Sequence, residues 1–240
     1  MTTNDPTHPS RRRFVAQSLT LMASAAITVP PAPHVCLLGD SIFDNKSYVG
    51  GKPDVVAQVR DALPAHWKAS LLVVDGATTE GIGSQLKRLP VDATHLVLSV
   101  GGNNALGQAN ILSAPAGTTG DALAALLRVI RKFKAAYRTA VEACRRSGLP
   151  LAICTIYNGN FPDADHQRQV TVALAVFYDV IIQTATRHGL TVLELRQICD
   201  EAKDYANPIE PSSVGGAKIA SAIARVVTAP ESVRGARLVG

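Results

Sequence analysis

Short apolar runs alternate along the chain with longer segments of helical periodicity. The apolar runs are rich in Val, Ile and Leu, which is typical of strands buried on both faces. They predict five strands, at residues 34–38, 69–74, 95–100, 151–156 and 191–195. Segments with apolar residues three or four positions apart predict helices at 52–63, 83–88, 121–147, 165–188 and 213–227.

This alternation indicates one α/β domain at residues 34–228. Strands joined by helices form right-handed crossovers, and these build a parallel sheet with helices on both faces. We therefore expect a three-layer α/β/α sandwich with a five-stranded parallel sheet. Ligands bind such sheets outside the carboxyl ends of the strands. The candidate chemistry thus falls in the loops that follow the first four strands and in the segment before the last helix.

Composition and charge exclude several classes of protein. The 240 residues are 47% apolar and 18% charged, as in an ordinary globular domain. The net charge of +5 includes Arg11, Arg12 and Arg13. Taking away these three arginines and Asp5, the charged residues of 1–25, leaves 21 basic and 18 acidic residues. The predicted domain has no basic stripe, so we expect no nucleic-acid partner.

The N-terminus is similar to a twin-arginine export signal. The segment Ser-Arg-Arg-Arg-Phe-Val at 10–15 precedes an apolar run at 19–27, which contains the small triplet Ala-Ser-Ala at 23–25. We predict a signal peptide at 1–25, a Pro-rich stem at 26–33, export to the periplasm or medium, and a C-terminal tail at 229–240. The run is too short to span a membrane. Alternatively, Met22 is the true start and the protein is cytoplasmic.

No cofactor or metal is predicted. The four cysteines, Cys36, Cys144, Cys154 and Cys199, include no Cys-x-x-Cys pair and do not cluster with histidines as zinc ligands do. No complete Gly-x-Gly-x-x-Gly follows the first predicted strand, which argues against a dinucleotide site. Three of the cysteines lie in apolar or helical patterns, and we expect all four to be buried thiols.

Three of the loops carry a recognisable set of residues. Gly39-Asp40-Ser41 follows the first strand, Asp75-Gly76-Ala77-Thr78 the second, and Gly101-Gly102-Asn103 the third. Together they resemble the first three blocks of the SGNH (GDSL) hydrolase superfamily, over about residues 34–228. The resemblance implies a flavodoxin-like fold and ester hydrolysis without a cofactor. It also implies that Ser41 is the nucleophile and that the Ser41 amide, the Gly76 amide and the Asn103 side chain form the oxyanion hole. Gly81 competes with Gly76 for this role.

The last block departs from the family. SGNH hydrolases have Asp-x-x-His before the final helix, whereas this chain reads Asn207-Pro208-Ile209-Glu210. Asn207 stands at the aspartate position and Glu210 at the histidine position. The Pro, Ser and Gly residues that follow fit the block. An unassisted serine is a poor nucleophile near neutrality, so the identity of the base decides whether the chain hydrolyses esters.

Three explanations remain open. In the favoured one, Glu210 is the base, because burial in a cleft raises a carboxylate pKa towards neutrality, and Asn207 orients it. In the second, His166 is the base, since it follows the carboxyl end of a predicted strand whereas His34, His66, His95 and His188 do not. In the third, hydrolysis has been lost and the fold binds a glycan or acyl ligand. We therefore predict a serine esterase or acylhydrolase acting on a small-molecule ester or an acylated glycan.

Overall fold

A computed structural model describes residues 1–2, 32–229 and 237–240. Residues 3–25 of the predicted signal peptide and 26–31 of the predicted stem therefore lie outside the described residues. The sheet is parallel throughout, with strand order β2-β1-β3-β4-β5-β6. Its strands are β1 His34–Gly39, β2 Lys68–Leu71, β3 His95–Ser99, β4 Leu151–Cys154, β5 Thr191–Leu193 and β6 Arg237–Val239. The order of the first five is that of flavodoxin-like folds, as the resemblance implied.

The predicted count of five strands was wrong, because the described sheet has six. The sixth strand, β6, comes from the segment we expected to be a tail, and it pairs in parallel with β5 from Thr191↔Arg237 to Leu193↔Val239. Its three residues, Arg-Leu-Val, are too few to show the alternation that identifies a strand. The Glu194 amide extends the pairing by donating to the Val239 carbonyl at 2.8 Å.

Five helices confirm the five predicted segments, with ends shifted by up to three residues. They are α1 Val55–Ala62, α2 Ile82–Leu86, α4 Thr119–Arg145, α5 Ala164–His188 and α7 Ser213–Val227. Two further helices are too short to show a period, α3 Gly102–Leu106 and α6 Leu195–Ile198. Single 3₁₀ turns lie at Thr79–Gly81, Ala109–Ser113 and Ala202–Asp204.

Side-chain caps explain where the long helices begin. Thr118 Oγ1 accepts from the Asp121 amide at the start of α4, and Asp163 Oδ1 accepts from the His166 amide at the start of α5. Ser212 Oγ does the same for two amides at the start of α7. Each cap satisfies a backbone donor that the first helical turn leaves unpaired.

The sheet separates two apolar cores, which confirms the three-layer architecture. Leu37 of β1 faces the core shared with α1 and α7, and its neighbour Leu38 faces the core shared with α4 and α5. Both side chains are fully buried. Successive residues of a strand point to opposite faces, so a strand between two helical layers is apolar at every position, as the sequence pattern indicated.

One described helix, α5, is long and apolar enough by composition alone to cross a membrane. Buried helices of soluble proteins share this property, and the C-terminal half of α5 buries Phe177, Val180 and Ile181 in the core. The four cysteines are buried and form no disulfide within the part of the chain that the structure describes.

Candidate active site

Ser41 lies in a tight turn directly after β1. Gly39 has φ +133°, and a Cβ atom placed on it would lie 1.7 Å from the Ser99 carbonyl oxygen, so only glycine fits. The Asp40 amide donates to that same carbonyl at 3.2 Å. The chain thus leaves β1 against the end of β3 and turns so that Ser41 faces the cleft between their loops.

Gln85 of α2 holds this turn from below. Its Oε1 accepts from the Gly39 amide at 2.8 Å, and its Nε2 donates to the Gly39 carbonyl at 2.7 Å. The side chain is buried, so losing either bond would leave a polar group unpaired away from water. Sequence analysis missed this residue. The sequence feature that could have indicated it was a glutamine on the inward face of a short amphipathic helix.

Glu210 meets the serine from the last loop before α7. Ser41 Oγ donates to Glu210 Oε1 at 2.8 Å, and both residues are buried. The pKa of Glu210 is raised to about 7: burial raises it most, the hydrogen bond from Ser41 lowers it, and the negative charge of Asp75 raises it. Glu210 Oε2 has no hydrogen-bond partner among the described residues. This carboxyl group is suited to accept a proton near neutrality.

Three side chains fix the backbone around Glu210 through hydrogen bonds. Asn207 Oδ1 accepts from the Ile209 and Glu210 amides at 2.9 Å each. The Tyr157 hydroxyl donates to the Ile209 carbonyl at 2.6 Å, and Asn45 Nδ2 donates to the Pro211 carbonyl at 3.0 Å. Asn207 therefore shapes the turn that carries Glu210, and in the described structure its contacts are with backbone amides rather than with the Glu210 carboxylate. The roles of Tyr157 and Asn45 depend on distant partners that no local motif reveals.

Asp40 is a second buried carboxyl group beside the serine. Its pKa is raised to about 7: burial raises it most, the hydrogen bond from the Ile42 amide lowers it, and the nearby charge of Glu210 raises it. Asp40 Oδ1 accepts from the Ile42 amide at 3.3 Å, and Oδ2 has no partner in the described residues. Two buried carboxyl groups with raised pKa values thus flank Ser41, an arrangement more common at functional sites than in cores.

Of the three residues expected to form an oxyanion hole, Ser41 and Asn103 line the cavity and Gly76 does not. Asn103 lines the same cavity as Ser41, and its Nδ2 donates to the Ala77 carbonyl at 3.0 Å, which leaves one amide hydrogen. The Ser41 amide donates to no acceptor in the described residues. Gly76 is exposed, with φ +73°, and is not among the residues that line the cavity. The amide of its competitor Gly81 donates to the Thr78 carbonyl.

His166 also reaches the cavity but not the serine. Its ring packs edge-on against Phe161, with 4.9 Å between the ring centroids. Among the described residues, the hydrogen-bond acceptor of Ser41 Oγ is Glu210. The structure therefore brings Ser41, Glu210 and Asn103 to one cavity, with His166 elsewhere on its wall.

The cavity has a volume of about 230 Å³. Its polar end is formed by Asp40, Ser41, Asn103 and Glu210; Gln108, Asn158 and His166 also line it, and most of the other lining residues are apolar. Most of these apolar residues come from α3, from the 3₁₀ segment Ala109–Ser113, and from α4 and α5. Such a wall favours an apolar ligand with one polar, reactive end.

A cluster of carboxylates lies away from this cavity. Asp200, Glu201 and Asp204 each place an oxygen atom within 4.8 Å of the others. Lys218 Nζ lies 3.4 Å from Asp200, 2.8 Å from Glu201 and 2.8 Å from Asp204. The lysine ammonium balances the carboxylates and ties α7 to the preceding 3₁₀ turn.

Solved structures of several ester hydrolases share this fold. A phospholipase A1 from Streptomyces albidoflavus is 14% identical, with a TM-score of 0.59 over 78% of this chain and 95% of that chain. An extracellular lipase from Streptomyces rimosus is 15% identical, with a TM-score of 0.60 over 82% and 100%. The acetylxylan esterase Axe2 from Geobacillus stearothermophilus is 15% identical, with a TM-score of 0.56 over 83% and 96%. A comparison with curated proteins finds no match.

The profile of the GDSL-like lipase/acylhydrolase family matches residues 37–215, which is most of the chain. The match runs from β1 into the start of α7, so it includes the Ser41 turn, the Asn103 loop and the segment that carries Glu210. This agrees with the resemblance seen in the sequence and with the observed sheet order. The chain belongs to the GDSL-like lipase/acylhydrolase family, a family of ester hydrolases.

Proposed function

We propose that the chain is a serine esterase or acylhydrolase in which Ser41 is the nucleophile and Glu210 is its base. The observation that carries this proposal is the 2.8 Å hydrogen bond from Ser41 Oγ to Glu210 Oε1. A serine hydroxyl needs an adjacent base to attack an ester. The raised pKa of Glu210, about 7, gives a carboxylate that is basic enough to help and still partly ionised near neutrality.

The proposed reaction has two halves. In the first, Ser41 Oγ bonds to the ester carbonyl carbon while its proton passes to Glu210 Oε1. The tetrahedral intermediate then collapses, the bond to the alcohol oxygen breaks, and Glu210 returns the proton to that oxygen. In the second, Glu210 takes a proton from water, the resulting hydroxide attacks the acyl-enzyme, and Ser41 Oγ leaves with the proton. The products are an acid and an alcohol, and the enzyme is regenerated.

The oxyanion formed in each half needs hydrogen-bond donors. The proposal assigns this role to the Ser41 amide and the Asn103 side chain, since both have a donor hydrogen without a partner in the described structure. Gly76 is exposed and does not line the cavity, so the proposal gives it no part in the oxyanion hole. Asn207 holds the turn that presents Glu210. The substrate class is a small-molecule ester or an acylated glycan.

Labelling with a fluorophosphonate tests this proposal directly. An activated serine bonds to the phosphorus and displaces fluoride, so the intact mass of the protein rises by one adduct. We expect wild type to gain one adduct and Ser41→Ala to gain none. Ser113→Ala is the matched control, because Ser113 is exposed in the loop beside the cavity. Glu210→Gln should label at least about 100-fold more slowly, because general-base catalysis is typically worth that much.

His166→Ala decides between the two candidate bases. If Glu210 is the base, this variant labels as wild type does. If His166→Ala loses the adduct while Glu210→Gln keeps it, histidine is the base and the assignment of Glu210 fails. Wild type that stays unlabelled from about pH 5 to pH 9, a range in which the proposed base becomes ionised, would instead support a fold that binds a glycan or acyl ligand without hydrolysis.

We further propose that the protein is exported through the twin-arginine signal at 1–25. The test is the mass of protein recovered from the periplasm, which should start after Ala25. Replacing Arg11, Arg12 and Arg13 by lysine should retain the full-length chain in the cytoplasm. A product that starts at Met22 in the cytoplasm would support the alternative.

A further inference from the structure

The N-terminal halves of α4 and α5 carry apolar side chains that are at most partly buried. Residues of α4 become buried only from Phe133 onwards, and those of α5 only from Phe177. Before Phe133 in α4, and up to and including Phe177 in α5, both helices carry apolar side chains that line the cavity beside Ser41. These residues, which we call the α4–α5 wall, are Leu126, Val129, Val170, Ala173, Leu174 and Phe177.

The α5 residues of the α4–α5 wall have the spacing of one apolar helix face. Val170, Ala173, Leu174 and Phe177 lie at positions i, i+3, i+4 and i+7, which places them on one side of α5. Phe177 is buried, whereas Val170, Ala173 and Leu174 are only partly buried in the protein without a ligand. An apolar ligand in the cavity would remove their remaining surface from water, which is favourable in proportion to the area covered.

The chemistry of the wall selects the kind of ligand. None of its six side chains has a hydrogen-bond donor or acceptor, whereas a sugar buried there would need partners for its hydroxyl groups. A hydrocarbon chain needs no such partners, and surfaces of aliphatic and aromatic carbon take up hydrocarbons. The wall therefore fits a hydrocarbon chain and not a glycan.

The volume of the cavity indicates how long a hydrocarbon chain it can hold. An apolar cavity of about 150 Å³ holds the six carbons of benzene, so about 230 Å³ has room for roughly eight to nine carbons. An acetyl group would leave most of this space empty. Leu106 lines the cavity and is 41% exposed, so it lies where the cavity opens to solvent.

From these observations we infer that the cavity is an acyl-chain pocket and that the substrate is an ester of a medium-chain fatty acid, of about eight carbons. The chain lies along the α4–α5 wall with its carbonyl carbon at Ser41. This inference names the acid part of the substrate and rests on the proposed function. It selects an acyl ester over the acetylated glycans on which some proteins of similar fold act.

A series of p-nitrophenyl esters gives the first readout. We expect kcat/KM to rise about fourfold for each methylene from acetate to octanoate, since that is the typical gain from burying one methylene, and then to stop rising before palmitate, which is longer than the cavity. Six methylenes at about fourfold each give an overall gain of about 4,000-fold, and a gain below about 100-fold would contradict the inference. Acetate hydrolysed as efficiently as octanoate would overturn the inference.

Filling the pocket gives the second readout. Ala173→Phe places a ring against the α4–α5 wall, and the ratio of octanoate to acetate kcat/KM should fall at least about tenfold. Ala175→Phe is the matched control, because Ala175 is exposed on the same helix and does not line the cavity. The control should keep the wild-type ratio. If Ala173→Phe does not fold, Val129→Phe fills the pocket from α4 instead.

Binding without turnover separates this inference from the proposed function. In Ser41→Ala, octanamide should bind at least about 100-fold more tightly than acetamide by calorimetry. If no ester is hydrolysed but octanamide binds in this way, the proposed function fails and the pocket stands. If esters are hydrolysed and octanamide binds no more tightly than acetamide, the pocket fails and the proposed function stands.

Discussion

Asn45 Nδ2 donates a 3.0 Å hydrogen bond to the Pro211 carbonyl, the residue directly after Glu210. Its Oδ1 accepts from the Val55 amide at 2.9 Å, at the start of α1. The side chain is fully buried. One residue from the serine loop thus holds the glutamate loop in register with it, although the two loops are far apart along the chain.

Asn45→Ala should therefore lower both activity and stability. We expect kcat/KM for an ester to fall about 10- to 100-fold because the distance between Ser41 and Glu210 is no longer fixed, with a loss of about 1–3 kcal/mol in the free energy of unfolding from the unpaired backbone groups. Asn110→Ala, at an exposed loop residue, is the control. Equal activity in both variants would show that Asn45 serves the fold alone.

Glu210 should set the acid limb of the pH profile. The base acts when it is ionised, and its pKa is raised to about 7 by burial, so kcat/KM should fall about tenfold per pH unit below that value. Glu210→Gln should lose about 100- to 10,000-fold in kcat and lose this limb. A wild-type profile that stays flat down to about pH 3, below the usual pKa of glutamate, contradicts the assignment.

Asn103 should act on the transition state. Removing one oxyanion donor typically costs about 100- to 1,000-fold in kcat, so Asn103→Ala should lower kcat by that factor with little change in KM. Asn104→Ala is the control, because Asn104 bonds to Thr79 in the neighbouring loop instead. If Asn104→Ala has the larger effect on kcat, Asn103 only holds the loop in place.

Asp40 should make the protein less stable as pH rises. Its pKa is about 7 in the folded state and about 3.9 in an unfolded chain. Between these values the folded state binds more protons, so the free energy of unfolding falls with increasing pH. The penalty is absent below the unfolded pKa and complete above the folded one, at up to about 4 kcal/mol. Urea unfolding at several pH values should show a shallower fall for Asp40→Asn, and parallel curves would count against this account.

Much of the fold could be predicted because each buried strand is apolar on both faces and each long helix has a cap and a period. The loops with Ser41, Asn103 and Glu210 could be located because parallel strands end at one edge of the sheet. The contact between Ser41 and Glu210 follows from that placement together with the family block.

The features that could not be predicted from the sequence depend on tertiary contacts. The three residues of β6 gain their strand geometry from pairing with β5, and sequence pattern cannot show pairing across such a distance. Gln85 and Tyr157 hold the two loops through hydrogen bonds to the backbone of Gly39 and Ile209, which are distant in sequence. Asn207 could either orient a carboxylate or close a turn on its own backbone, and only the geometry shows that it does the latter.

The winding of the chain accounts for the cleft itself. From β1 the chain passes to β2 on one side and then returns across β1 to β3 on the other. The loops after β1 and β3 therefore diverge, and the gap between them arises from topology, whatever side chains line it. The cleft that holds the proposed base at position 210 therefore does not depend on whether that residue is a glutamate or the family's histidine.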